Sequence, residues 1–109
     1  MEPTCCAVNQ LDCDDSEKSD VAWISDAPGF SNQAVINTAI GAIGFGLGLT
    51  ATTDPNDCMC AWGNTCQPST TAACTLSTSI ARDPQSTLLC AGAPATQDEK
   101  GAFTQAFCQ

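Results

Sequence analysis

Nine cysteines stand in a chain of 109 residues. That is about 8%, a density at which covalent cross-links supplement an apolar core too small to hold a domain by itself. Such usage points to an oxidising compartment, and so to a secreted, extracellular protein. A reduced thiolate cluster is the rival reading, but it would pack cysteine more densely and mix in lysine or histidine, and this chain has three Lys and Arg together and no His. The odd count leaves at least one cysteine without a partner inside the chain, free or bonded to a second copy as a disulfide-linked dimer. Met1-Glu2-Pro3-Thr4 has neither the basic nor the apolar region of a signal peptide, so Met1 reads as a start residue added to a mature chain.

Length and charge narrow the function classes. A chain this short is one domain, since two cores would each approach the size at which folding alone becomes difficult. With no His and no Tyr, imidazole-based triads, histidine-ligated metals and a tyrosine acid are ruled out. Twelve acidic residues against three basic ones give a formal charge of −9, which repels phosphate chains, so nucleic acid is not an expected partner.

Three zones follow one another. Residues 1–26 hold seven of the twelve acids together with Cys5, Cys6 and Cys13, and read as a loop-like, cysteine-pinned segment. Asp12, Asp14, Ser16, Lys18 and Asp20 alternate like calcium-loop ligands, but Glu17 and Trp23 occupy the places of the required Gly and closing Glu, so a solvated acidic face is the better account. Residues 27–53 carry no charge. Ser31 can cap a helix over about 31–43, in which Ile36, Ala39, Ile40, Ile43 and Leu47 recur on one apolar face. The alternation of Gly44, Gly46 and Gly48 with Phe45, Leu47 and Leu49 then predicts a strand to about Thr52. Residues 54–109 read strand, helix, strand, helix: Cys58-Met59-Cys60-Ala61-Trp62, residues 70–80, residues 86–91, and a last helix opened by a Thr96/Glu99 capping box. The expected fold is α+β, a small disulfide-stabilised domain with an antiparallel sheet packed on two or three short helices.

Chemistry is sparse. The Cys58-x-Cys60 pair lies beside Asp54 and Asp57, which would raise rather than lower thiol pKa values, so both read as structural half-cystines. In a strand the two would face one side, with Cys74 and Cys108 on the flanking helices as expected partners. Nothing in the sequence sets two carboxylates across a cleft for glycoside hydrolysis.

Cys58, Cys60, Ala72-Ala73-Cys74, Cys90 and Phe103-Thr104-Gln105-Ala106-Phe107-Cys108 together resemble the small secreted killer toxins of smut fungi, the "killer protein six" type, and the fungal effectors sharing that fold. The resemblance covers about half the chain, and Cys66 has no counterpart in it. Thr4-Cys5-Cys6-Ala7-Val8-Asn9, Leu11-Asp12-Cys13, Ala73-Cys74-Thr75-Leu76 and Leu88-Leu89-Cys90 resemble fragments of hydrophobins. That resemblance makes residues 34–49 the exposed interfacial loop, although the second Cys-Cys pair of that family is absent. Asp57-Cys58-Met59-Cys60 with Cys74 and Cys90 is similar to the haem-capturing fungal surface (CFEM-type) domain, which implies an iron-ligating role for Asp57.

The reading that follows is a secreted, acidic, non-enzymatic effector or toxin-like protein with no cofactor, whose target is a host or competitor protein or cell surface. Phe45, Leu47, Leu49 and Trp62 are its interaction candidates. The alternatives are a hydrophobin-like coat protein acting at a membrane or air–water interface and a haem-binding surface domain. Cys5, Cys6, Cys13, Cys58, Cys60, Cys66, Cys74, Cys90 and Cys108 are the disulfide candidates.

Overall fold

Ser31 sets the start of the longest element. Its backbone is extended and its Oγ accepts a 3.0 Å hydrogen bond from the Ala34 N–H, capping α1 (Asn32–Gly46). The computed structural model describes residues 7–8, 11, 13, 23–24, 31–62, 66–86 and 89–107.

The helix outruns its expected end. It takes in Gly44 and Gly46 and closes at Gly48, whose φ of 88° lies in the left-handed region. There the Leu49 N–H donates to Gly44 O at 3.0 Å and the Gly48 N–H to Phe45 O at 3.1 Å, the paired bonds of a Schellman stop. The predicted strand to Thr52 does not form. The glycines serve close approach instead, since a Cβ on Gly44 would meet Met59 Sδ at 2.8 Å and Leu49 Cδ1 at 3.2 Å. Residues 49–52 run on as an irregular, fully buried segment.

The remaining elements are short. Strands β1 (Ala7–Val8) and β2 (Trp23–Ile24) pair antiparallel inside the zone read as loop. Strands β3 (Ile80–Ala81) and β4 (Thr96–Gln97) form a second antiparallel pair, followed by α2 (Glu99–Phe107). Cys58–Trp62 is a 3₁₀ helix rather than a strand. Residues 70–79 are not helical, because their backbone groups are taken by tertiary partners: Thr75 N donates to Asn56 O at 2.9 Å, and Cys58 N to Thr75 O at 3.0 Å. Of the predicted strand at 86–91, the described positions are irregular or turn. The last helix forms where expected, but Thr96 belongs to β4 and the cap is Asp98, whose Oδ1 accepts from Gly101 N at 2.8 Å.

Among the described residues three disulfides tie these pieces: Cys13–Cys90, Cys58–Cys74 and Cys60–Cys66. Cys74, one of the two partners expected for the Cys58-x-Cys60 pair, bonds to Cys58. Cys60 departs from expectation by bonding to Cys66 instead of Cys108, because the 3₁₀ turn points the two half-cystines in different directions where a strand would have aligned them. Cys5, Cys6 and Cys108 lie outside the described residues. The core is Phe45, Leu49 and Met59, with Leu11, Ala102 and Phe103 packed against it. The molecule is thus a small disulfide-rich α+β protein in which, among the described residues, two two-stranded ladders stand where one packed sheet was expected.

Candidate functional site

The side of α1 that is buried is not the one its isoleucines mark. Asn37, Gly41, Ala42, Gly44, Phe45 and Gly46 are buried, whereas Ile36 and Ile43 are 50% and 39% exposed. At about 100° per residue, Ile36, Ile40, Ile43 and Leu47 fall on one line along the helix. Ile40 and Leu47 are half-buried, so the line forms an outward apolar ridge about three turns long. Small residues win the inward face because the 3₁₀ helix needs close approach to α1, and a branched side chain at Gly44 would prevent it.

Asn37 also belongs to the inward face. Its Nδ2 donates to Ala72 O at 2.9 Å and to Ser69 O at 3.4 Å, and its Oδ1 accepts from Cys74 N at 3.1 Å and from Gln33 Nε2 at 2.9 Å. One amide therefore holds the irregular 69–74 segment, together with the Ser31 hydroxyl, which donates to Thr70 O. Asn37, Asp57, Ser69 and Cys74 contribute to a cleft with room for little more than a water, too small for an organic ligand.

The interaction candidates are divided by the structure. Phe45 and Leu49 are core residues, 3% and 4% exposed, and are withdrawn from any surface role. Leu47 sits on the ridge at the end of α1. Trp62 is the last residue of the 3₁₀ helix, and its side chain lies outside the described set. Ile36 and Ile43, read from the sequence as core, are exposed, as are Leu89 and Phe107 elsewhere on the surface.

Asp57 does not fit an iron-ligating role. It is 2% exposed, and its Oδ2 accepts from Thr52 Oγ1 at 2.9 Å and from Met59 N at 3.0 Å, while its Oδ1 accepts from Ser77 Oγ at 3.1 Å. A carboxylate turned inward onto three donors has no face left for haem. It is paired instead with Glu99, fully buried, whose Oε1 accepts from Ser77 N at 3.1 Å and whose Oε2 accepts from Gln97 Nε2 at 3.0 Å. Burial, then a hydrogen bond to Asp57, pushes the Glu99 carboxyl up to about 8. These two acids meet from positions 57 and 99, and no sequence motif marked the encounter. The only local signal was an acidic residue at each of two element starts.

No helix among the described residues is long and apolar enough to cross a membrane. Comparison with known proteins finds no matching family model, no matching curated protein and no matching solved structure.

Proposed function

We propose that this is a secreted, non-enzymatic binding protein of the effector or toxin-like kind, which presents the α1 ridge to a protein or cell-surface target. The observation that carries the reading is the apolar line Ile36, Ile40, Ile43 and Leu47, turned outward on a helix whose other side is fixed. A preorganised helix face loses little conformational entropy on docking, the condition for a small rigid binder. Binding rather than catalysis is supported by the absence of His and Tyr and by the sealing of the Asp57/Glu99 pair from solvent. Extracellular placement is supported by the three disulfides.

The test is an Ile36→Asp/Ile43→Asp double variant, compared with the parent for saturable binding of the labelled protein to intact fungal cells and plant protoplasts. Because both positions are exposed, circular dichroism should be unchanged while cell binding falls at least tenfold. Equal binding by a folded variant overturns the ridge as the interface. The same ridge favours the coat-protein reading as a second possibility, and film formation by the parent at an air–water interface, lost in the variant, would decide for it.

A further inference from the structure

We propose that Asp57 and Glu99 form a proton-sharing latch that holds α2 on the core in acid and loosens as the medium turns alkaline, exposing the apolar surface beneath the helix. The geometry is that of one site built from two elements. Asp57 precedes the 3₁₀ helix and Glu99 is the first residue of α2, and both carboxyls are removed from water. Ser77 spans them, its Oγ donating to Asp57 and its N–H to Glu99, while its carbonyl accepts from Glu99 N at 2.9 Å and Lys100 N at 3.2 Å. Gln97 adds a second attachment, with Oε1 accepting from Thr50 N at 2.9 Å and Nε2 donating to Thr50 O at 2.8 Å.

No base compensates the pair among the described residues. Arg82 joins the network through Thr50, and its guanidinium is committed to Thr50 Oγ1 and Pro94 O, both at 2.9 Å. Lys100 on α2 and its cap Asp98 are exposed, Asp54 is exposed before the 3₁₀ helix, and α1 carries no charge. Asp83 is buried beside β3 with its Oδ1 accepting from Gln85 N at 2.9 Å. Two adjacent carboxylates in such a site cannot both ionise cheaply, so the folded protein retains a proton between them.

The sign of the linkage follows. Glu99 is raised from 4.5 to about 8, so between these limits the folded state binds a proton that the unfolded state has released. The contribution of Glu99 to stability is therefore fully present below about pH 4.5 and is lost as pH rises toward 8, the unfolding constant growing by up to about tenfold per pH unit. With no histidine in the chain, the usual titrating side chain of this window is missing. What the latch covers is apolar: α2 carries Ala102 and Phe103 onto Phe45, Leu49 and Met59.

The experiment uses the intact, disulfide-bonded protein. Denaturant unfolding between pH 5 and 9 should show the midpoint falling with pH, and binding of the dye ANS should rise as α2 lifts. Glu99→Gln cannot ionise and should flatten both profiles. A parent with flat profiles, or a folded variant as pH-dependent as the parent, overturns the latch. Carboxyl carbon resonances of protein labelled at its three glutamates, Glu2, Glu17 and Glu99, give a readout that needs no variant to fold. One titrating near 8 supports the latch, and all three titrating near 4.5 overturn it.

Discussion

Asn37 shows how one side chain can stand in for an element. The 69–74 segment has Thr and Ser where a helix would want straight-chain residues, and Ser69 Oγ turns it locally by accepting from Thr71 N and Ala72 N. The amide of Asn37 meets the Ser69 and Ala72 carbonyls and the Cys74 N–H, satisfying both its donor hydrogens and its carbonyl oxygen in doing so, while the Ser31 hydroxyl takes the Thr70 carbonyl. Asn37→Ala would strand the Cys74 N–H and the Ala72 carbonyl in a partly buried place, and should cost about 2–3 kcal/mol. Urea unfolding of the disulfide-intact variant measures this, and a loss below about 0.5 kcal/mol would mean that water replaces the amide.

At the scale of elements, α1 is defined by its two ends more than by its hydropathy. Ser31 was legible as a cap because a hydroxyl before a periodic apolar run has one obvious use. The far end was not, since Gly44, Gly46 and Gly48 fit a one-sided strand and a tightly packed helix equally well until a neighbour is present. Gly48 carries the stop, and Gly48→Ala forces a Cβ into the left-handed region. The expected loss is about 1 kcal/mol, read as a lower thermal midpoint with the helical circular dichroism signal retained at low temperature. The start of α1 was read correctly from its local cap, whereas the start of α2 was not. Asp98 rather than Thr96 caps α2 because Glu99, the residue expected to complete the capping box, is drawn into the interior by Ser77 and Gln97.

For the whole molecule, the bridges differ in what they restrain. Cys13–Cys90 closes 77 residues, Cys58–Cys74 closes 16 and Cys60–Cys66 closes 6; chain entropy ranks their contributions at about 4.5, 3 and 2 kcal/mol. Thiol titration of the denatured, unreduced protein should find no more than three free thiols, nine cysteines less the six in these bridges. Eight or nine would instead restore the thiolate-cluster reading. The sequence by itself determined the class, because cysteine density, an uncharged middle segment and the Ser31-capped helix are local or compositional properties that survive any arrangement in space. It also determined that Cys58 and Cys60 are half-cystines. Only the tertiary structure decided which side of α1 faces inward, because hydropathy favours the isoleucines while the approach of Met59 demands Gly44. Only the tertiary structure joined Cys60 to Cys66 and set Asp57 against Glu99, since pairings between distant positions depend on how the irregular segments close, and those segments obey no period that a sequence displays.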